Sequence, residues 1–268
     1  MQKMNKVNDL INYLKQQEKL AIAISGGLDS SILLALAVSV LGKENCLALT
    51  AQSPYMMSTE WDECVQFVDS LGVRHITPSF DIPEAIINNP PDRCYLCKTQ
   101  IFTTLKQLSE QEGFHTLADG SNIDDLNDYR PGHKALKELN IISPFLEANM
   151  GKQDIRYLGK KLGLSETLYQ KPAYACLLTR LPHNEKIEID RLHIIDQAEM
   201  YLRNHGIKAC RVRWNDGNVR IEIDPSDFPL LIENSLRENV LDYFKSLGIK
   251  QITLDLSGYK QGNMNQIT

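Results

Sequence analysis

Two hydrophobic periods alternate along the first two thirds of the chain. Short unbroken apolar runs read as buried strands, and each is followed by a segment in which apolar positions recur every three or four residues. "KLAIAI" leads into a helix from about Asp29, and "CLALTAQ" into "STEWDECVQFVDSLG", where Trp61, Val65 and Val68 share a face. "RHITPSF" leads into a helix that reaches "LKQLSEQEG", and "FHTLADG" and "IISPF" read as further strands. Strands that alternate with helices of this length predict βαβ units: an α/β fold with a mostly parallel sheet and helices on both faces. Ahead of the first strand, Val7, Leu10, Ile11 and Leu14 form one apolar stripe of an amphipathic helix.

The pattern changes after about Arg180. "IEIDRLHIIDQAEMYLRNHG" is a helix ending at Gly206, and "KACRVRWNDGNVRIEID" is a hairpin with Asp216-Gly217 in its turn. A helix around "LLIENSLRENVLDYFKSLG" and the strand "QITLDLS" follow. This α-β-β-α-β order predicts a second, small α+β domain. Residues 1–180 then form the first domain and 181–268 the second, with Leu181 to Glu188 as the linker.

Composition narrows the function classes. The chain has 268 residues, 43% hydrophobic and 24% charged, enough for a sizeable core. Its formal charge of -5 argues against a dedicated nucleic-acid binder, which is usually basic. No segment approaches the roughly 20 apolar residues that cross a bilayer, and the first residues lack the apolar core of a signal peptide. A cytoplasmic protein without membrane contact is expected. Six cysteines in a chain of this length and a reducing compartment are not a disulfide framework, so their spacing is read for metal binding or catalysis.

The run "LAIAISGGLDSSILLALAV" carries the strongest local signal. Ser25, Gly26, Gly27, Asp29 and Ser30 sit between a buried strand and a helix start. Glycines there let backbone N–H groups approach a ligand, helix N-termini attract anions, and the serines add hydroxyl donors. A phosphate group is the natural ligand. The stretch is not a Walker A loop, since no Gly-Lys-Ser/Thr follows, nor the three-glycine dinucleotide fingerprint. The plain alternative is an ordinary strand–helix turn with Asp29 or Ser30 as the cap.

The SGGLDS stretch resembles the pyrophosphate loop of the PP-loop ATP pyrophosphatases, which activate a carbonyl or carboxylate oxygen with AMP and release pyrophosphate. "NPPDRCYLCKTQIF", "LADGSNIDDLNDYRPGHKALKELNIISPF", "KPAYACLLTR", "CRVRWNDGNVRIEI" and "LDLSGYKQGNMN" occur in that order downstream. Together they resemble the LarE-type ATP-dependent sulfur transferases over nearly the whole chain. The resemblance implies ATP and Mg²⁺ as reactants. It also implies a pyridinium-3,5-biscarboxylic acid mononucleotide as the small-molecule substrate, one carboxylate of which becomes a thiocarboxylate. It places Ser25, Gly26, Gly27, Asp29, Ser30, Asp119 and Gly120 at the nucleotide and Arg180, Arg211, Arg213 and Glu222 at the substrate. Glu199 and Glu222 match acids of the active site, although Glu199 by itself reads as a polar position on a surface helix. A homo-oligomer is a further implication; the sulfur donor is left open.

Arg211 and Arg213 alternate on one hairpin strand, so both side chains face one side. Two guanidiniums there suit a phosphate or carboxylate; the alternative is a solvated face paired with Glu222 and Asp224. Cys94 and Cys97 in "CYLC" put two thiols within reach of one metal centre. The resemblance adds Cys176 as a third, which in one branch of the family gives up its own sulfur. Three cysteines and no obvious fourth ligand fit a [4Fe–4S] cluster with one iron open to an extra sulfide better than a closed zinc site. Two ordinary helix cysteines are the remaining alternative. Cys46, Cys64 and Cys210 read as core thiols, Trp61 as packing, and the six histidines as scattered.

Competing functions are a tRNA-thiolating PP-loop enzyme, which the acidity does not favour, an ammonia-using synthetase such as NAD synthetase, which leaves "CYLC" unexplained, and a nucleotide-binding module without turnover.

Overall fold

Hydrophobic residues at successive strand positions pack into opposite clusters, and this fixes a sheet covered on both sides. The computed structural model describes residues 2–127, 131–171, 175–207 and 209–259. Parts of three motif stretches, around 128–130, 172–174 and 260–265, lie outside them.

The chain forms two compact units. One comprises Met1–Ser53, Thr59–Ile86 and Asp92–Tyr174; the other Pro54–Ser58, Ile87–Pro91 and Ala175–Thr268. The first unit holds strands β1 (Leu20–Ala23), β2 (Cys46–Leu49), β3 (Arg74–Ile76) and β4 (Leu117–Ala118), all parallel, in the order β3-β2-β1-β4. Its helices are α1 (Gln2–Lys15), α2 (Leu28–Leu41), α3 (Ser58–Leu71), α4 (Arg93–Gln111), α5 (Gly132–Glu138), α6 (Pro144–Glu147), α7 (Lys152–Lys161) and α8 (Glu166–Tyr169).

Leu20 and Ile22 pack with Leu10 and Leu14 of α1, Leu33 and Leu36 of α2 and Leu158 of α7. Ala21, Leu47 and Leu49 point the other way, onto Phe102 and Leu105 of α4 and Leu136 of α5. The period of two in the strands therefore feeds two cores. The expected α/β architecture with helices on both faces is what forms. The amphipathic first helix buries Val7, Leu10 and Leu14.

One strand expectation is corrected. "IISPF" contributes a single bridge, Ile142 to Ala118, because Pro144 lacks an N–H and instead opens α6.

The second unit contains α9 (Ile189–Asn204), β5 (Cys210–Asn215), β6 (Asn218–Ile223), α10 (Phe228–Ile232), α11 (Asn234–Ser246) and β7 (Gln251–Leu254). β5 and β6 pair antiparallel, and β7 adds parallel to β6. The hairpin turns at Asp216 (φ 48°) and Gly217 (φ 78°), two consecutive left-handed residues, as a two-residue primed turn demands. The expected helix after the hairpin is two helices, separated at Glu233 (φ -53°, ψ 132°).

Candidate functional site

The order β3-β2-β1-β4 puts a reversal beside β1. The chain runs outward through β2 and β3, then returns to the other side of β1. Ligands of open α/β sheets bind outside the carboxyl ends at such a reversal. The turn after β1 is Ser25–Gly27, and the turn after β4 is Asp119–Gly120, so two stretches far apart in sequence meet there.

Gly26 has φ 74°, and a Cβ on it would lie 2.6 Å from the Glu60 carbonyl oxygen. Both facts demand glycine. A Cβ on Gly120 would lie 2.7 Å from the Ser30 nitrogen, so this turn rests directly on the first turn of α2. Gly27 is the N-cap of α2 and offers no side chain, which leaves the first-turn N–H groups to an anionic ligand. Ser25 and Ser30 brace the turn. The Ser25 and Gly27 N–H groups donate to Ser30 Oγ (3.2 Å) and Ser25 Oγ (3.3 Å), and Ser30 Oγ donates to the Gly27 carbonyl (3.4 Å).

Asp29 stands among charges. Lys152 Nζ meets its Oδ2 at 2.5 Å and Asn122 Nδ2 donates to the same oxygen at 3.4 Å. Its Oδ1 is buried without a hydrogen-bond partner among the described residues. Burial pushes the Asp29 carboxyl above the usual range; Lys152 opposes this and the nearby Asp125 adds to it. Asp119 is buried with both oxygens engaged, accepting from Ser121 Oγ (2.5 Å) and Ser143 Oγ (2.6 Å). It shapes the turn. Lys171, also buried, donates to the Gly26 carbonyl at 2.8 Å and pairs with Glu63. Lys152, Asn122 and Lys171 carry no motif or periodicity that marks them as site residues in the sequence. The one sequence signal for Lys171 is its place at the start of "KPAYACLLTR".

In the second unit, Glu199 is fully buried, contrary to the surface position its helix pattern suggested. Its partner explains the burial. Arg180, equally buried, donates from Nε to Glu199 Oε1 (2.8 Å) and from Nη2 to Oε2 (2.9 Å). The Val212 N–H (2.9 Å) and Arg203 (3.3 Å) complete the carboxylate's shell. Burial alone would raise the Glu199 pKa, but Arg180, then Arg211 and the Val212 N–H, hold it below the ordinary value. Arg180 Nη1 donates to the carbonyls of Ala175 (2.6 Å) and Cys176 (3.2 Å) and to Thr179 Oγ1 (2.9 Å). Every nitrogen of Arg180 therefore has an acceptor within the chain.

The expected arginine face lies on β5 and β6. Arg213 forks onto Glu222 (3.1 and 3.0 Å) and donates to the Thr179 carbonyl. Arg220 meets the same carboxylate at 2.9 Å. Arg211 is buried, donates to Tyr259 Oη at 3.1 Å and lies 4.6 Å from the centre of that ring. Burial, then the like charge of Arg180, lowers its pKa, despite Glu199. Asp224 instead caps the following turn through Ser226.

The cysteines divide by exposure. Cys46, Cys64 and Cys210 are buried, and burial pushes Cys46 and Cys210 up to about 11 and about 12. Cys94 and Cys97 lie three apart near the start of α4, exposed and half-buried, and Cys176 is exposed at the start of the turn Leu177–Arg180. Among the described residues no three His, Cys, Asp or Glu side chains are grouped closely enough to hold a metal ion. No described helix is long and apolar enough to cross a membrane.

Comparison with known proteins supplies the family. A profile of the NAD synthase family matches residues 3–99, the segment that carries the β1–α2 turn. The chain is 33% identical over 261 residues to the pyridinium-3,5-bisthiocarboxylic acid mononucleotide synthase of Lactiplantibacillus plantarum, covering 96% of this chain and 92% of that protein. It is 33% identical over 265 residues to an uncharacterized protein of Synechocystis, 98% of each chain. An uncharacterized protein of Methanocaldococcus jannaschii is 34% identical over 260 residues, 96% of this chain and 98% of that one. Likeness of this extent, together with a phosphate-ready turn at the sheet reversal, means that the chain belongs to the pyridinium-3,5-bisthiocarboxylic acid mononucleotide synthase family, the LarE-type branch of the PP-loop proteins.

Proposed function

We propose that the protein is an ATP-dependent sulfur transferase that converts a carboxylate of pyridinium-3,5-biscarboxylic acid mononucleotide into a thiocarboxylate. The observation that carries this reading is the uncapped start of α2, with its serine hydroxyls and half-buried Asp29, in a chain alike from end to end to a named synthase. A carboxylate is a poor electrophile. Its oxygen attacks the α-phosphorus of ATP, the bond to pyrophosphate breaks, and the acyl adenylate gains AMP as leaving group. The α2 turn holds the departing pyrophosphate. A sulfur nucleophile then forms the C–S bond as the C–O bond to AMP breaks.

Asp29 Oδ1, buried and unpartnered among the described residues, suits a divalent cation. Mg²⁺ there would neutralise phosphate charge. Arg211 and Arg213 would bind the substrate's phosphate or free carboxylate, with Glu222 setting the angle of Arg213. Arg180, engaged on all its nitrogens, would act on substrate indirectly, by holding the Cys176 carbonyl.

The accessible thiols suit the sulfur step. The family resemblance supports Cys94, Cys97 and Cys176 as thiolate ligands that would hold a [4Fe–4S] cluster, although they form no ready metal site among the described residues. Such a cluster would supply an open iron for an extra sulfide.

Two measurements test the reading. Protein purified without oxygen should be brown, contain iron and sulfide, and release pyrophosphate from ATP when the pyridinium substrate is added. Asp29→Ala and Ser30→Ala should remove that release and leave cooperative unfolding in place. Colourless protein that loses the mass of H₂S at Cys176 after one turnover would replace the cluster with sacrifice of that cysteine. Absence of pyrophosphate release with any carboxylate would overturn the enzyme reading, and tight, salt-sensitive binding of bulk tRNA would redirect it to RNA.

A further inference from the structure

Lys171 has no part in the chemistry above, yet it reaches 145 residues back along the chain to one backbone oxygen. It is 7% exposed, and its Nζ donates to the Gly26 carbonyl at 2.8 Å. The same ammonium pairs with Glu63 of α3, whose side chain is 61% exposed. The Gly26 carbonyl and the Gly27 N–H belong to one planar peptide unit. One end of that plane is held by Lys171 and the other by Ser25 Oγ, at 3.3 Å. Gly26 has a positive φ and no Cβ, so its backbone has more rotational freedom than any other residue would have there. A second anchor is what such a peptide needs in order to present a fixed set of donors.

The choice of an ammonium has an electrostatic consequence. A cation on the carbonyl oxygen polarises the peptide and makes its N–H end more positive. Burial strengthens the effect, and the Glu63 carboxylate, paired with the same ammonium but largely solvated, offsets part of it.

We propose that Lys171 is a positioning residue for pyrophosphate: it fixes the Gly26–Gly27 peptide plane and raises the anion affinity of the α2 turn without touching the ligand. The inference rests on the ATP reading above and specifies which residue prepares that site. Lys171 also lies five residues before Cys176, so the residue that anchors the ATP turn lies in the same stretch of sequence as the accessible thiol.

The test is calorimetric titration of inorganic pyrophosphate, with Mg²⁺ present, into the wild-type protein and into Lys171→Met, Lys171→Gln and Lys171→Arg. A charge-assisted hydrogen bond lost at the turn predicts pyrophosphate binding weakened about ten- to hundredfold in Lys171→Met. Lys171→Arg, which keeps charge and donors, should recover most of the affinity. KM for the pyridinium mononucleotide should stay unchanged while KM for ATP rises. Lys171→Gln keeps a donor and loses the charge; it provides the comparison if the methionine variant fails to fold, and should bind at least fivefold more weakly than wild type. Pyrophosphate affinity within twofold of wild type in either neutral variant would overturn the inference while leaving the ATP site in place. Wild-type protein that binds neither pyrophosphate nor ATP would bring down the ATP reading and this inference together.

Discussion

Replacing Gly120 with alanine tests whether the two turns at the sheet reversal touch as closely as described. The added Cβ would meet the Ser30 nitrogen at 2.7 Å, the Asp29 carbonyl carbon at 3.1 Å and Ser30 Cα at 3.1 Å. Ordinary contact begins near 3.4 Å, so the closest approach is short by about 0.7 Å, and all three atoms are backbone. A side chain would swing aside; the start of a helix packed on the core cannot. Overpacking of this kind costs about 1–3 kcal/mol. The strain falls on the residues that would bind pyrophosphate, and a misplacement of about 1 Å can lower rate about a hundredfold. Urea unfolding should therefore show a lower midpoint at constant slope, and pyrophosphate release should fall by more than the stability loss alone explains. Gly163→Ala is the control. It has φ 73° and open space around the added carbon, so it should cost about 1–2 kcal/mol of backbone strain and leave turnover alone. Stability within 0.5 kcal/mol of wild type for Gly120→Ala, with full activity, would refute the close approach.

Arg211→Ala and Arg213→Ala should raise KM for the mononucleotide by about one to two decades, since each removes a charge-assisted hydrogen bond, and leave KM for ATP in place. The opposite split would assign the arginine face to ATP. Iodoacetamide at neutral pH should label Cys94 and Cys176 first in metal-free protein, and spare Cys46 and Cys210, whose thiols are buried and pushed up to about 11 and about 12. Peptide mapping that finds Cys210 among the early adducts would contradict its burial. Glu199 has a folded-state pKa below its unfolded one, so its contribution is present above the ordinary carboxylate range and is lost as pH falls through the depressed value. Glu199→Gln should lower stability by several kcal/mol at pH 7, by stranding Arg180, and flatten the acid limb of the stability curve below about pH 4.5. An acid limb as steep as wild type's would show that Glu199 is not the group titrating.

Local order in this protein is written in local sequence. Alternation in β1 and β2, the apolar stripe of α1 and the Asp216-Gly217 turn all follow from periodicity and backbone preference, which act within a few residues. The SGGLDS turn is legible for the same reason: its glycines, serines and acid are contiguous, and the strand and helix around it are strongly patterned. The tertiary structure decided what depends on partners distant in sequence. Glu199 looks like a surface residue on its helix, and only the meeting with Arg180 and the Val212 N–H makes its complete burial tolerable. Arg180 in turn spends its donors on Glu199 and on the backbone near Cys176, an arrangement with no periodic signature. Lys152 on Asp29 and Lys171 on the Gly26 carbonyl are joined across 123 and 145 residues by the reversal beside β1. Desolvation and charge pairing are set by three-dimensional neighbours, so periodicity along the chain can fix the elements of such a site and not the electrostatics between them.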